Sequence, residues 1–321
     1  MPEKIAMLQP ISDDQAALIR SLLAPGFEIT RVNGRSAEDL KAAIADATYA
    51  VWWDVGVTDE IMAAGPKLKL IHKWGVGIDN IDIPAAQARG IKIARTTGSN
   101  ATAVAEFTVG VLVALARRIV PAHNSTVAGG WEKNEISRRS IIVSGKTVGI
   151  IGMGAIGKQV ARRLAAFGCP ILYHNRNRLP AAEEAALGAT WEPLDRLLAG
   201  SDFITLNCPL TPETRGMIDA RAFGLMKRGA LLVNVARGGV VVEADMAEAL
   251  RNGTLAGAAI DVFEQEPPPA DHPFLKMDHV IVTPHSASTA QENAARGIRH
   301  WLGNIERVAR GEEIPAQDRV A

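Results

Sequence analysis

The chain has 321 residues, 47% of them hydrophobic and 22% charged, so its length points to two soluble globular domains. Its 35 basic and 35 acidic residues cancel, which excludes a global pull towards nucleic acid or an anionic membrane and makes any anion recognition local. The polar start "MPEKIAMLQPISDD" is no signal peptide, the longest apolar run (Phe107–Ala116) is too short for a bilayer, and Cys169 and Cys208 have no ligand or disulfide spacing; a cytoplasmic protein without a metal is expected.

Strand-like and helix-like stretches alternate from the start, the pattern of parallel α/β domains. "KIAMLQP", "FEITRV", "YAVWW", "LKLIHKW" and "IKIART" read as strands. "DDQAALIRSLL", "AEDLKAAIA" and "TDEIMAA" between them have helical spacing. A long helix is predicted from about Ala101 to Val120, begun by the cap-like Ser99-Asn100. A second series follows: "KTVGIIG", "PILYHN", "DFITLNC", "ALLVNVA", "LAGAAIDV" and "HVIVTP" are strands, mostly unbroken apolar runs as expected when both sheet faces are covered. Residues 289–311 are again helical, and this closing helix is expected to pack back on the first half.

The strand at 147–151 runs into Gly152-Met-Gly154-Ala-Ile-Gly157 and then into "GKQVARRLAAF", an amphipathic helix. In that setting the first glycine permits a tight turn and the second lets backbone approach a pyrophosphate. The third lets helix and strand pack closely, and the free amides of the helix start face the phosphates. An acid that holds the adenosine ribose is expected about twenty residues on. None occurs between Glu135 and Glu183; the chain has His174-Asn175-Arg176-Asn177-Arg178 instead. A carboxylate there would repel a 2′-phosphate, whereas guanidinium forks suit one. The cofactor expected is therefore NADP(H), with Arg176 and Arg178 as clamps and Asn175 as a neutral donor. The bland alternative is a solvated basic turn beside a site indifferent to that phosphate.

Three further stretches place ionisable residues just after apolar strands: Arg237 in "LLVNVARGG", Asp261, Glu264 and Glu266 in "GAAIDVFEQEP", and His285 in "VIVTPHSAS". Ligands of open α/β sheets bind at the carboxyl ends of strands. An arginine fork suits a carboxylate, a histidine suits proton donation, and a carboxylate behind the histidine favours the imidazolium.

With these motifs in order, the sequence resembles the D-isomer-specific 2-hydroxyacid dehydrogenases over nearly its whole length. "KWGVGIDNID" is similar to their substrate loop, "NATAVAEFTVGVLVALARR" to their interdomain and dimer helix, and "LNCPLTPETRGMI" to a signature of their nucleotide domain. The resemblance implies two Rossmann-like parallel-sheet domains, one flavodoxin-like and one dinucleotide-binding, flanking a cleft. A discontinuous substrate domain (1–99 with 288–321) would hold an inserted nucleotide domain (100–287).

The same resemblance implies that Arg237 binds the substrate carboxylate and carbonyl oxygen, that His285 is the acid/base and that Glu266 is its partner. Asp261 would meet the nicotinamide carboxamide. The amides of Val76 and Gly77 would hold the substrate carboxylate, with Trp53 and Lys73 beside them. Ala155, Ile156, Cys208, Pro209, Thr214, Val235 and Ala236 would complete the cofactor site, against which His285 also lies. Glu264 matches no catalytic position.

"HNRNR" and the "AGGW" ending at Trp131 resemble glyoxylate and hydroxypyruvate reductases, so the expected substrate is a small 2-keto acid and the expected assembly a homodimer. Trp52, Trp53 and Trp74 would form an apolar wall, ordinary core packing being their alternative. Other readings are an NAD-dependent enzyme of a larger substrate, including the phosphoglycerate type, and a non-catalytic nucleotide sensor. The phosphoglycerate type is the less expected, on the reading that no regulatory domain follows residue 321 and that no basic cluster awaits a second phosphate; Lys73, the one nearby cation, keeps a longer or charged substrate open.

Overall fold

Five short strands build the first sheet: β1 (Glu3–Met7), β2 (Phe27–Arg31), β3 (Tyr49–Trp52), β4 (Leu70–Lys73) and β5 (Lys92–Arg95). They run parallel in the order β2-β1-β3-β4-β5. Every residue of β3 and β4 is buried, as sequences without polar alternation require when helices cover both faces. The computed structural model describes residues 2–321 and divides them into two units, one comprising residues up to Asn100 with Thr289–Ala321, the other Ala101–Ser288.

The closing helix, Gln291–Ala309, belongs to the first unit. Ile298, Trp301, Leu302 and Ile305 are buried along it, an apolar stripe at helical spacing packed with Ile5, Met7 and Leu70. The tail beyond it adds an antiparallel edge to β5 through Val320 N–H to Ile93 O (2.9 Å) and Arg95 N–H to Asp318 O (2.9 Å).

Seven parallel strands form the second sheet: β6 (Val148–Ile151), β7 (Ile171–His174), β8 (Ala189–Trp191), β9 (Phe203–Leu206), β10 (Ala230–Asn234), β11 (Leu255–Ile260) and β12 (Val280–Val282). Their order is β12-β11-β10-β9-β6-β7-β8, so the winding reverses between β6 and β9, where such sheets bind ligands. Leu206, Leu232 and Ile260 pack one face with Phe223 and Leu250. Ile150, Phe203 and Val233 pack the other with Leu112 and Leu164. Strand β8, only three residues long, carries no pattern that the sequence could reveal.

The long helix is shorter than its apolar composition suggests. It spans Ala101–Ala116, and a second helix starts at Ile119 after Arg118 adopts a left-handed φ of 54°. The buried Arg118 guanidinium lies 3.1 Å from the Asp278 carboxylate, and reaching it redirects the chain. Among the described residues, no helix is long and apolar enough to cross a membrane.

Candidate nucleotide and catalytic sites

Strand β6 ends in the glycine turn. Gly152 has φ +100°, and a Cβ on it would sit 2.5 Å from Cys208 N at the end of β9; only glycine fits. At Gly154 a Cβ would meet no protein atom within 4 Å, so this position faces open space. The helix Ala155–Ala165 then begins with Gly154 as its N-cap and no side-chain cap, leaving Ala155 and Ile156 in its first turn. Uncapped helix-start amides beside an open, Cβ-free surface suit a pyrophosphate, so the residues present fit a dinucleotide.

Beyond β7, Asn175 Oδ1 accepts from Met153 N–H (2.6 Å) and Asn175 O from Trp191 Nε1–H (3.2 Å). Asn175 thus ties the basic turn to the glycine turn, and its carboxamide keeps N–H donors as the neutral reading requires. Arg176 and Asn177 are exposed. Arg178 is not available as a free clamp: its Nε and Nη2 meet Glu184 Oε1 and Oε2 at 2.8 and 2.7 Å. Sequence spacing hid this, because Glu184 lies six residues on, in the helix Ala181–Leu187.

The wall opposite is formed by the segment after β9. Cys208 is partly buried, and burial pushes its thiol up to about 11, so it is a neutral surface and no nucleophile. Pro209 O accepts from the Thr214 hydroxyl (2.7 Å), which also takes Thr211 N–H (2.8 Å); Thr214 therefore shapes this turn. Val235 is half-buried and Ala236 buried at the end of β10.

Arg237 follows β10 on a turn built by Asn234, whose side chain takes Ala236 N–H (3.0 Å) and donates to Arg237 O (3.1 Å). The next residue, Gly238, packs on the backbone of Phe263 and Glu264 so closely that no Cβ fits. That contact brings the Arg237 turn against the loop carrying Glu266. Glu243 braces the same loop, accepting from Glu264 N–H (2.8 Å) and pairing with His272 Nε2 (3.1 Å).

At the centre, His285 Nδ1 lies 2.8 Å from Glu266 Oε2, while Glu266 Oε1 takes Phe263 N–H at 3.0 Å. Partial burial pushes the Glu266 carboxyl up. Its hydrogen bonds from His285 and Phe263 and the charges of His285 and Arg237 outweigh that and hold it below its usual value. An ionised Glu266 only accepts, so Nδ1 carries the proton and Nε2 is left to face a reactant. The side chains remain 46% exposed for His285 and 38% for Glu266.

His285 itself has φ +53°, a left-handed backbone that costs a non-glycine residue about 1–3 kcal/mol unless its surroundings impose it. Asp261 imposes it. Its backbone oxygen takes His285 N–H (2.8 Å), and its carboxylate takes the Thr283 hydroxyl (2.6 Å), Ser286 N–H (2.8 Å) and Ala287 N–H (2.9 Å). With 1% exposure, Asp261 staples the histidine loop from beneath.

In the first unit the substrate-loop residues are held differently. Lys73, 5% exposed, donates to Trp53 O and to Asn80 Oδ1 (3.1 Å), with its ammonium 5.2 Å from the Trp52 ring centroid. It is a buried staple rather than a cation reaching for substrate. Asn80, which sequence reasoning missed, also takes Trp52 Nε1–H (3.0 Å) and donates to Val55 O (2.8 Å). Gln9 Oε1 fixes the other side of that loop through Trp53 and Asp54 N–H (2.9 and 2.7 Å). Trp52 is core; Trp53 and Trp74 stand edge to face at 5.2 Å, and Trp74 meets the buried Trp301 at 6.0 Å. Among the described residues, no hydrogen bond engages the amides of Val76 or Gly77.

Comparison with known proteins accords with this geometry. The profile of the D-isomer specific 2-hydroxyacid dehydrogenase NAD-binding domain matches residues 109–287. This chain belongs to the D-isomer specific 2-hydroxyacid dehydrogenase family. Within the family it is 42% identical over 259 residues to a glyoxylate reductase of Thermofilum pendens, covering 80% of this chain and 76% of that one. It is 37% identical over 306 residues to the D-3-phosphoglycerate dehydrogenase of Mycobacterium leprae, covering 95% of this chain but 57% of that enzyme's length. Among solved structures, the NAD complex of a Staphylococcus aureus formate dehydrogenase superposes with a TM-score of 0.88 at 30% identity, covering 99% of both chains. Membership makes the chain an NAD(P)-dependent oxidoreductase acting on 2-keto or 2-hydroxy acids.

Proposed function

We propose that this dehydrogenase reduces a small 2-keto acid of the glyoxylate and hydroxypyruvate class, with NADPH preferred over NADH. The observation that carries the catalytic part is the His285–Glu266 pair, held by a strained backbone with Nε2 left over. Arg237 binds the substrate carboxylate and counters charge on the carbonyl oxygen as it is reduced, the electrostatic role that usually dominates such chemistry. Protonated His285 gives its Nε2 proton to that oxygen, and Glu266 stabilises the imidazolium before the transfer. When bound, the reduced nicotinamide supplies the hydride. Gly152, Gly154, Gly157 and the first helix amides hold its pyrophosphate, Cys208, Pro209, Val235 and Ala236 wall it, and Arg176 meets the 2′-phosphate.

The small substrate is favoured by kinship to glyoxylate reductases and by the engagement of Lys73 within its own unit. The phosphoglycerate reading draws on relatives matching almost the whole chain. Initial rates with glyoxylate, hydroxypyruvate and 3-phosphohydroxypyruvate, each with NADPH and NADH, separate the two. Turnover of glyoxylate or hydroxypyruvate with NADPH is expected. Exclusive turnover of the phosphorylated substrate sinks the small-substrate reading, and preference for NADH sinks the NADPH reading alone. Turnover of none of them points to larger keto acids and then to a nucleotide sensor.

We also propose a homodimer through the second unit. Trp131 and Ile142 are 80% and 70% exposed and border a cleft of about 490 Å³ that also contains Arg117, Thr126 and Ile136; apolar surface of this kind marks an interface. Light scattering should give twice the chain mass, and Ile142→Asp should shift it to monomer.

A further inference from the structure

The turn after β7 carries two arginines, and the structure gives them unequal freedom. On its leading side Asn175 is tied by Met153 N–H and by Trp191. On its trailing side a chain of contacts runs inward: Leu179 N–H donates to Tyr173 Oη (2.8 Å), Tyr173 O–H donates to Glu184 Oε1 (2.6 Å), and the Arg178 fork closes on both Glu184 oxygens. Tyr173 is fully buried and Glu184 nearly so, while neighbouring Glu183 pairs with Lys158 of the glycine-motif helix at 2.6 Å. Between these anchors Arg176 and Asn177 stand exposed, whereas the Arg178 side chain, 62% exposed, is held by its fork on Glu184.

We propose that Glu184 is a positioning residue for cofactor selection: by gripping Arg178 and Tyr173 it braces the 175–179 turn so that Arg176 alone meets the 2′-phosphate. This rests on the NADPH reading above. Two considerations favour it. A bidentate guanidinium–carboxylate pair with one partner nearly buried is costly to open, because the carboxylate would be left without its counter-charge. And a single guanidinium on a turn anchored at both ends loses little freedom on meeting its anion, so its position is what the affinity depends on.

The test is calorimetric binding of adenosine 2′,5′-bisphosphate and of AMP to the full chain, alongside thermal unfolding. The wild type should favour the bisphosphate. Arg176→Ala should weaken the bisphosphate by about 10- to 100-fold, the range for a lost charged hydrogen bond, with AMP unchanged within about twofold. Glu184→Gln and Arg178→Ala should each weaken the bisphosphate by about three- to tenfold, less than Arg176→Ala because the clamp itself survives. Both should spare AMP, which a general loosening of the domain would not do. Combined with Arg176→Ala, neither should cost the bisphosphate anything further, since a positioning residue acts only through the group it positions.

A further tenfold loss in the Arg176→Ala/Arg178→Ala double variant would make Arg178 a direct clamp and overturn the proposal. So would equal losses for both nucleotides in Glu184→Gln, or an unchanged preference in that variant. A wild type indifferent to the 2′-phosphate overturns the NADPH reading with it, whereas a wild-type preference that survives Glu184→Gln overturns the brace alone.

Discussion

The carboxyl ends of the two sheets offer different chemistry. At the ends of β10, β11 and β12, Arg237, Glu266 and His285 stay half-buried or exposed, with Glu266 and His285 paired. At the ends of β4 and β5 the ionisable groups turn inward. Lys73 is engaged by Trp53 and Asn80, and His72, buried and pushed down to about 3 chiefly by that burial, takes Asn304 Nδ2–H (3.0 Å). Asp318 joins His300 (2.6 Å), Asn304 (3.2 Å) and Thr97 N–H (3.1 Å). Similar parallel sheets can thus be built so that one leaves its ionisable groups near the surface and the other turns them inward. Which one a strand end becomes depends on whether its polar residues find partners inside the unit.

The contrast is broken most severely at His285. His285→Ala should lower the rate constant for keto-acid reduction by roughly 10²- to 10⁴-fold, the usual loss for an acid/base. Unfolding temperature should change little, because alanine keeps the left-handed φ that Asp261 imposes and the lost imidazole is partly exposed. Steady-state kinetics and calorimetry check both, and a near-normal rate would remove the second unit's distinction.

The opposite result is expected at Asn304. Asn304→Ala orphans the His72 Nε2 acceptor and strips a donor from Asp318, at a cost of about 2 kcal/mol. The unfolding midpoint should fall by several degrees, with the rate constant held. A lost rate with stability intact would show that this buried network serves chemistry after all.

Acid sharpens the comparison further. Arg178, then Tyr173, hold the Glu184 carboxyl down from 4.5 to about 2. A carboxyl depressed in the folded state contributes fully above its unfolded value and loses that contribution as pH falls towards the folded one. The wild-type midpoint should therefore drop more steeply between pH 4.5 and 2 than that of Glu184→Gln. Parallel curves would mean that the Arg178 fork is no tighter in the folded chain than in the unfolded one.

The smallest effect is expected at Lys73. Lys73→Met should leave the Michaelis constant for glyoxylate within about threefold and cost stability instead, since an inward-facing lysine acts through packing and its own unit's carbonyls. A hundredfold rise would return Lys73 to the substrate site.

Much of this was legible in the residues. Unbroken apolar runs marked most strands of both sheets, and the spacing of Gly152, Gly154 and Gly157 between a strand and an amphipathic helix located the nucleotide turn. The histidine after β12 and the acid after β11 stood out because ionisable residues directly follow apolar strands. What stayed hidden depends on pairing across space. Glu184 reads as one acid among several on a short helix, and Asn80 as one polar residue in a loop. The polar Asn234 at the end of the apolar β10 was a signal that sequence reasoning passed over.

Sequence by itself determined which groups the chain can offer: three glycines without a following acid, two arginines, and a histidine with an acid near it. Local covalent structure and hydrophobic period suffice for that, because glycine geometry and strand burial are properties of short segments. Tertiary structure alone decided which of those groups are free. It closed Glu184 on Arg178, drew Lys73 and Asp261 inward as staples, and broke the long helix at Arg118. The physical reason is that a charged side chain's role is set by the competition between water, a ligand and the partners that folding brings within hydrogen-bond reach, and those partners come from distant points along the chain.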